Sequence, residues 1–336
     1  MFFQVFWSIL ILLMKSTKNK QIFSVLEDKR AERLDVFLAE QMGISRSQIQ
    51  KMITLGQVTI DGRMPKKAGE RLTSAKKVKV ADLKEDPKTN KKDKKLIKLE
   101  ILGETKDYVV VNKPAGILVH PTQAMESNTL SNALVDKYPE IKKIGDSEVR
   151  PGIVHRLDKD ASGLLVVART PKSFSSLKRQ FQERQVEKIY SVLVYGEVVK
   201  DTDTIDFEID RGGDGRMVSR PKIDKMKLKN VGKIQNGKES LTEYWVEKRY
   251  KRFSLLKVKI HTGRTHQIRV HMFAIGHPVV GDRLYVNKKL VKKSDQELKR
   301  LFLHAKHLEF TDLQGNRVGF DKSIPVELKN YLQNLV

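Results

Sequence analysis

The sequence predicts an α+β protein with two domains. Some segments carry apolar residues at helical spacing, others are extended apolar or alternating runs, and a charged stretch separates a short early part from a longer later part. At 336 residues the chain exceeds the size at which a single core stops growing efficiently. We therefore expect an N-terminal extension at residues 1–29, a small domain at 30–83, a charged linker at 84–98 and a large domain at 99–336.

The composition is strongly basic and contains no cysteine. The 65 Lys and Arg residues exceed the 41 Asp and Glu residues, which gives a formal charge of +24. This excess predicts a polyanionic partner, nucleic acid before membrane, through counterion release and electrostatic steering. The missing cysteine excludes disulfides, thiolate chemistry and cysteine-based metal sites, and a reducing cytosol fits this composition.

Residues 2–14 form an apolar stretch with no basic segment before it and no small-residue cleavage site after it. As a helix it would span about 20 Å, less than the roughly 30 Å of a hydrocarbon core. A membrane anchor is therefore not favoured. We expect a non-functional extension, with Met14 as the working start of the protein.

The small domain is predicted to contain two short helices and a hairpin. The first helix carries Leu34, Phe37 and Leu38 on one face. Ser45 and Gln48 have the spacing of a capping box that starts the second helix, and Gly56 ends it. The dipeptide at 61–62, Asp-Gly, is typical of a type I′ turn between two strands. These elements carry many basic residues, among them Arg46, Lys51 and Arg63.

The large domain alternates strands with a few helices before strands dominate. Its predicted strands are residues 108–112, 164–168, 189–199, 242–246 and 253–261. Its predicted helices are residues 127–138, a segment opened by Thr170 and Pro171 as cap and first turn, and a segment from about 265 to 276. Residues 214–239 are basic and poor in apolar side chains, so we expect a loop there, either solvated or in contact with a nucleic acid.

Three distant stretches contain the residue types that catalysis uses. Asp158 lies between a Gly/Pro-rich turn and the apolar run at 164–168, so the fold positions its carboxyl group. The second stretch is Lys188-Ile-Tyr190 and the third is residues 263–271, which include Arg264 and join a strand to a helix. An arginine at that junction can bind a carboxylate through two hydrogen bonds.

The motifs resemble those of a known enzyme family. His-Arg-Leu-Asp-x-x-x-Ser-Gly-Leu-Leu, beginning at residue 155 after Pro-Gly-Ile-Val, resembles the active-site motif of the RluA-type pseudouridine synthases. Asn-Lys-Pro-Ala-Gly at 112–116, followed by Val-His-Pro at 119–121, resembles their first block, where we expect a loop-shaping role. The family more often has Thr where this chain has Ala161. Residues 30–83 resemble the RNA-binding domain named after ribosomal small-subunit protein four, and together the resemblances cover nearly everything after residue 30.

The resemblance implies a fold and a reaction. The fold is α+β, with a mixed, mainly antiparallel sheet in the catalytic domain and a small basic α/β RNA-binding domain before it. The reaction is isomerisation of uridine to pseudouridine in structured RNA. Asp158 is then the catalytic acid, Arg264 its ion-pair partner, and Tyr190 the side chain that stacks on the target base and is a candidate acceptor for the proton on carbon 5.

The implied RNA contacts extend over both domains. We expect Arg156 to enter the space that the extruded base vacates, and we expect Lys188, Arg46, Lys51 and Arg63 to bind RNA. The target is expected in large-subunit ribosomal RNA rather than transfer RNA. A stable membrane partner is not expected, and we expect a monomer.

Several alternatives stay open on the sequence alone. Asp158 could attack carbon 1′ of the ribose or remove a hydrogen from carbon 2′, and neither route requires a metal or redox cofactor. A non-catalytic RNA-binding or ribosome-assembly protein would have the same positive charge. A glycosidase would require a second catalytic acid, and Asp160 is the only acid near Asp158 in the sequence. The spacing of the histidines at 261–277 argues against a metal site, and His155 is expected to be a hydrogen-bonded structural residue.

Overall fold

The computed structural model describes residues 21–25, 32–54, 56–72, 77–80, 97–122, 126–220, 237–293, 295 and 298–335. The chain divides into two compact units, Met1–Lys94 and Lys95–Val336. The apolar stretch at 2–14 and residues 84–96 of the expected linker lie outside the described residues. In the described part of the chain, every helix is too short or too polar to cross a membrane.

The first unit contains a three-stranded antiparallel sheet and two helices. The strands are β1 (Gln21–Ser24), β2 (Val58–Ile60) and β3 (Lys77–Val80), in the order β1-β3-β2, and the helices are α1 (Leu34–Met42) and α2 (Arg46–Thr54). The side chains at helical spacing on α1 pack into a core with the apolar residues of α2 and of the strands.

The local chemistry predicted for this unit is present. The backbone N–H of Ser45 donates to Oε1 of Gln48 at 2.9 Å, and the N–H of Gln48 donates to Oγ of Ser45 at 3.3 Å. These reciprocal bonds confirm the capping box. Asp61 and Gly62 have φ angles of 46° and 83°, as a type I′ turn requires.

The second unit is built on a nine-stranded sheet. The strand order is β4-β5-β6-β13-β7-β12-β11-β8, and β14 also pairs with β13. A separate hairpin, β9 with β10, lies outside this sheet. The strands are β4 (Glu100–Glu104), β5 (Tyr108–Lys113), β6 (Ser162–Ala168), β7 (Glu187–Tyr195), β8 (Thr202–Ile205), β9 (Glu208–Arg211), β10 (Met217–Arg220), β11 (Thr242–Tyr250), β12 (Phe253–Ile260), β13 (Leu303–Thr311) and β14 (Arg317–Asp321). The helices are α3 (Leu130–Lys137), α4 (Pro171–Gln182), α5 (Gln267–Ala274) and α6 (Val326–Gln333).

All neighbouring strands of the large sheet are antiparallel except β6 and β13, which are parallel. This arrangement, together with the first unit, confirms the predicted α+β class with a mixed, mainly antiparallel sheet. Every residue of β6 is buried, as the apolar run at 164–168 predicted. The helix start at Thr170 is also confirmed, since its Oγ1 accepts a hydrogen bond from the N–H of Ser173 at 3.2 Å.

One expectation about the basic segment 214–239 was wrong in part. Met217–Arg220 forms strand β10 and pairs with β9, because each of its residues finds a backbone partner between Glu208 and Arg211. Residues 221–236 of that segment lie outside the described residues.

The centre of the sheet fixes the loop that carries Asp158. Ala305 on β13 pairs with Gly163 on one side and with Tyr190 on the other. Gly163 has φ 118°, and a Cβ atom there would lie 2.3 Å from the carbonyl oxygen of Ala305, so only glycine allows this approach. The loop before β6 and the tyrosine on β7 are therefore held on the two sides of one strand.

Candidate active site

Asp158 lies in the loop just before β6, at the edge of a small cavity. The N–H of Ala161 donates to the carbonyl oxygen of Asp158 at 3.2 Å, which closes a turn between the acid and the strand. The Asp158 side chain is 16% exposed. The cavity measures about 80 Å³, and Tyr190, Arg156, Arg264 and Arg269 also line it. The turn and the strand therefore present a partly buried carboxylate to a confined space.

Arg269 holds this carboxylate. Its Nη1 donates to Oδ2 of Asp158 at 3.0 Å, and only 10% of the arginine side chain is exposed. Two other nitrogens of the guanidinium donate to Asp282: Nε to Oδ2 at 2.6 Å and Nη2 to Oδ1 at 2.9 Å. Arg269 thus bridges two acids, and among the described residues none donates to Oδ1 of Asp158.

Asp282 is itself fixed by the backbone. Its side chain is fully buried, and its Oδ1 accepts hydrogen bonds from the N–H groups of Leu284 and Tyr285 at 2.8 and 3.0 Å. Burial lowers the pKa of Arg269, but the hydrogen bonds and charge of Asp282, and then the charge of Asp158, outweigh burial and raise it. The guanidinium is therefore a permanent cation aimed at Asp158.

The prediction that Arg264 pairs with Asp158 was wrong, because Arg269 makes that ion pair. The Nε of Arg264 donates instead to the carbonyl oxygen of Glu239 at 3.0 Å. Arg264 precedes a turn in which the N–H of Gln267 donates to the carbonyl of Arg264 and His266 adopts φ 57°. This turn separates Arg264 from α5, whose first turn carries Arg269. The sequence placed both arginines in one motif, but the direction of each side chain depends on this turn.

Tyr190 forms the buried side of the cavity. The residue is 6% exposed, and in the described part of the chain no group forms a hydrogen bond with its hydroxyl. Burial raises the pKa of Tyr190, and the charge of Asp158 adds to the effect. The side chain is therefore a neutral phenol with an apolar face, suited to stacking against a planar base.

Two other residues considered from the sequence lie elsewhere. Nε2 of His155 accepts a hydrogen bond from the N–H of Val166 at 3.1 Å, and its ring stacks on Phe181 at 4.5 Å. Burial lowers the pKa of His155 to about 3, with a further contribution from the charge of Lys188, so the ring is neutral and structural, as expected. Asp160 is exposed and lines a different cavity, of about 760 Å³, that does not include Asp158.

The RNA-binding residues suggested by the sequence are distributed over both units. Arg156 is exposed at the mouth of the cavity, and Lys188 lines an adjoining cavity. Arg46 and Arg63 belong to the first unit, where Nη2 of each binds a carboxylate, Asp35 at 3.1 Å and Glu70 at 2.6 Å. The backbone of Lys51 lies on α2, and its side chain is outside the described part.

Lys113 was not singled out individually from the sequence, although its block was. Its side chain is fully buried, and Nζ donates to the carbonyl oxygens of Pro114, Ile117 and Lys159 at 2.8, 2.8 and 3.1 Å. The bond to Lys159 ties the end of β5 to the residue beside Asp158. The block therefore shapes the loop that carries Asp158, and a lysine directly before Pro-Ala-Gly was the available signal.

The arrangement supports a specific kind of chemistry. One oxygen of Asp158 is bound to a cation, the other receives no hydrogen bond from the described residues, and the acid lines the cavity together with a neutral aromatic ring. The free oxygen can attack an electrophilic carbon or accept a proton from a substrate held against the ring. The surrounding arginines suit a polyanionic substrate.

Two family models match the chain. Residues 107–274 match the model described as RNA pseudouridylate synthase, and residues 32–78 match the S4 domain. The first match contains Asp158, Tyr190 and Arg269, and the second lies in the first unit.

Related sequences and structures bear similar names. An uncharacterized RNA pseudouridine synthase of Aquifex aeolicus (strain VF5) is 44% identical over 79% of this chain and 81% of its own length. Ribosomal large subunit pseudouridine synthase D of Pseudomonas aeruginosa is 35% identical over 88% of this chain and 89% of its own length. The solved structure of human RNA pseudouridylate synthase domain containing 1 has a TM-score of 0.53 and 30% identity, over 68% of this chain and 84% of that chain.

Proposed function

Because the chain belongs to the RNA pseudouridine synthase family, with an S4 domain before the catalytic domain, we propose that it converts specific uridines of large-subunit ribosomal RNA to pseudouridine, with Asp158 as the essential catalytic residue. The family membership confirms the resemblance found in the motifs. One observation supports the assignment of the acid above all: Asp158 is bound to Arg269 in a cavity that also contains Tyr190.

The reaction moves one bond without net transfer of electrons or water. The bond between uracil N1 and ribose carbon 1′ breaks, uracil turns within the cavity, and a bond forms between carbon 5 and carbon 1′. The proton on carbon 5 is lost and N1 gains one. The base must first leave its stack in the RNA, which costs about a few kcal/mol.

Asp158 and Arg269 prepare the first step. Arg269 binds Oδ2 of Asp158 and leaves Oδ1 available to a substrate. In this state the acid can attack carbon 1′ or remove a hydrogen from carbon 2′, and the geometry is compatible with both routes. This charged hydrogen bond holds the carboxylate in one orientation.

Tyr190 holds the base while it turns. Its buried ring offers an apolar face beside Asp158. Because burial raises the pKa of Tyr190, the hydroxyl is protonated at neutral pH. It can receive the carbon 5 proton only by passing on its own, so stacking is the primary role that we assign to it.

Arginines and lysines bind the RNA around the extruded base. Arg156 is exposed beside the cavity and can enter the stack that the uridine leaves. Arg264 lines the same cavity and contacts the substrate there. Arg46, Lys51 and Arg63 bind RNA phosphates through the S4 domain, a role favoured by the half-exposed side chains of Arg46 and Arg63.

The ribosomal target is supported by the relative from Pseudomonas aeruginosa, whose name specifies the large ribosomal subunit. The alternatives are a synthase for transfer RNA and an RNA-binding protein with no catalytic activity. The first alternative predicts pseudouridine in transfer RNA only, and the second predicts no new pseudouridine in any RNA.

The test uses RNA from cells that lack this gene. The purified protein and its Asp158→Asn variant are incubated with that RNA, and pseudouridine is mapped from primer-extension stops after chemical adduct formation. We expect new stops in large-subunit ribosomal RNA with the wild type and none with the variant. Stops only in transfer RNA would contradict the ribosomal target, and equal stops from the variant would contradict the essential role of Asp158. Salt-sensitive binding by both proteins without any stops would favour the non-catalytic alternative.

A further inference from the structure

A second cavity adjoins the one that contains Asp158. It measures about 430 Å³, and it shares Arg156, Tyr190 and Arg264 with the first. We name it the basic cavity, and its ionisable lining residues are mostly basic. These are His120, Arg150, His155, Arg156, Lys178, Lys188, Tyr190 and Arg264. Since the two cavities share a wall, a strand of substrate can occupy both.

The walls of the basic cavity are positively charged. Among the described residues that line it there is no Asp or Glu. Lys178 has an acidic partner outside the lining, Asp146, at 2.7 Å. Arg150 and Arg156 are exposed and form no ion pair with the described residues. Such a concentration of like charge around one space favours an anionic ligand.

Lys188 is the exceptional residue of this cavity. In the described part of the chain no group accepts a hydrogen bond from its Nζ, whose described contact is the ring of Phe181 at 5.5 Å. Burial lowers the pKa of Lys188 to about 8. The Lys188 side chain is half-buried, so water reaches its ammonium group, and an anion in the basic cavity would replace that water with a charged acceptor.

The strand places Lys188 in register with Tyr190. Both lie on β7, two residues apart, so their side chains leave the same face of the strand about 6.6 Å from each other. A nucleotide whose base lies against Tyr190 therefore brings its backbone close to Lys188. The distance between the positions of Lys188 and Tyr190 is suited to a base and a phosphate of the same RNA strand rather than to two unrelated ligands.

We propose that the basic cavity binds the RNA phosphodiester adjacent to the extruded uridine, with Lys188 as its central contact. This inference rests on the proposed function, and it adds a phosphate subsite next to the catalytic acid. A phosphodiester carries one negative charge, and its oxygens accept hydrogen bonds from ammonium and guanidinium groups.

The subsite predicts a specific pH dependence. A phosphate that contacts Lys188 favours the protonated amine, so binding takes up a proton once the pH exceeds about 8, and the affinity falls as the pH rises further. The arginines that face Lys188 keep their charge over this range. Burial lowers the pKa of His120 and His155 and raises that of Tyr190, so these three groups stay neutral above pH 7.

The experiment measures binding of a large-subunit ribosomal RNA transcript by the full chain between pH 7 and 9.5 and between 50 and 300 mM salt. For Lys188→Gln we expect about tenfold weaker binding at pH 7, a slope of log affinity against log salt that is smaller by about 0.7 to 0.9, and a smaller loss of affinity above pH 8 than the wild type shows. Lys188→Arg should bind as well as the wild type at pH 7 and also show this smaller loss above pH 8, because arginine stays protonated.

Lys259→Gln is the matched control, since it removes the same charge from the neighbouring strand β12, where Lys259 pairs with Glu187 at 2.7 Å. It should keep the pH profile of the wild type. If Lys188→Gln keeps the salt slope and the pH profile of the wild type while the wild type forms pseudouridine in that transcript, the subsite is wrong and the proposed function stands. If the wild type forms no pseudouridine in any RNA, the proposed function fails and this inference fails with it.

Discussion

Asp158 is held by two further charged side chains in series, Arg269 and then Asp282. Its Oδ2 receives one hydrogen bond from Arg269, and Arg269 receives its orientation from two bonds to the buried Asp282. The backbone N–H groups of Leu284 and Tyr285 fix Asp282 in turn. The orientation of Asp158, the acid proposed as catalytic, therefore depends on a residue that does not line its cavity.

At the scale of single residues, we predict that Asp282→Asn slows catalysis more than it weakens RNA binding. Asparagine can still accept the backbone bonds, but it loses the charge and one of the acceptors that orient Arg269. Loss of a charged hydrogen bond predicts a kcat reduced about 10- to 100-fold with a nearly unchanged KM. Single-turnover pseudouridine formation at saturating protein measures this effect.

Asp160→Asn is the control, because Asp160 is an exposed acid two residues from Asp158 that lines another cavity. It should keep kcat within about twofold of the wild type. An Asp282→Asn variant that raised KM and left kcat unchanged would show that Asp282 acts on RNA binding and not on the catalytic ion pair.

At the scale of elements, the catalytic loop is tied to strand β5 by one buried lysine. Lys113 ends β5 and donates to three carbonyl groups, one of them beside Asp158. The N–H of Gly116 also donates to the carbonyl oxygen of Lys159, at 2.8 Å. These hydrogen bonds therefore link strand β5 and the block at 112–116 to the loop that carries Asp158.

We predict that Lys113→Met both destabilises the catalytic unit and lowers the rate of pseudouridine formation. Methionine fills much of the same volume but removes the Nζ donor from the carbonyl groups of Pro114 and Ile117 and one of the two donors from that of Lys159, which predicts a loss of about 2 to 4 kcal/mol in the free energy of unfolding. Urea denaturation followed by circular dichroism measures this loss. Lys159→Met removes the neighbouring exposed side chain, so it should change stability by less than about 0.5 kcal/mol. Equal stability of the two variants would contradict the role of Lys113.

At the scale of the whole molecule, charge is distributed over two units with different tasks. The formal charge of +24 is carried by both the S4 unit and the catalytic unit. In the S4 unit, the buried Asp35 accepts hydrogen bonds from Arg33, Arg46 and Gln50. The bond to Arg33 lowers the pKa of Asp35 against the opposing effect of burial, and the bonds to Gln50 and Arg46 lower it further. The acid therefore organises basic side chains on the surface of that unit.

We predict that the S4 unit contributes affinity rather than chemistry. Replacing Arg46 and Arg63 together by glutamine should reduce the slope of log affinity against log salt by about 1.4 to 1.8. The single-turnover rate at saturating protein should stay within about twofold of the wild type. Salt titrations of RNA binding and the single-turnover assay check the two parts.

A single replacement on the catalytic unit, Lys200→Gln, is the control for loss of charge, because Lys200 pairs with Asp203 at the surface. Lys200→Gln should leave the slope of log affinity against log salt nearly unchanged. A double variant with the wild-type slope would show that Arg46 and Arg63 do not contact phosphates, and a melting curve for the double variant separates lost contacts from unfolding.

The sequence by itself determined the elements and the residue types of the site. Helical spacing located α1, an apolar run located β6, and local hydrogen-bond chemistry located the caps at Ser45 and Thr170 and the turn at 61–62. The motifs singled out Asp158 and Tyr190. These features depend on neighbouring residues, so a local pattern is enough to predict them.

The tertiary structure alone decided which groups meet. It paired Asp158 with Arg269, 111 residues away, instead of Arg264, and it joined Lys113 to a carbonyl 46 residues away. It also enclosed Lys188 among cations from three separate segments of the chain. Spacing in sequence could not predict these contacts, because they depend on the pairing of β13 with β6 and β7 and on the turn at His266, which set the directions of the side chains.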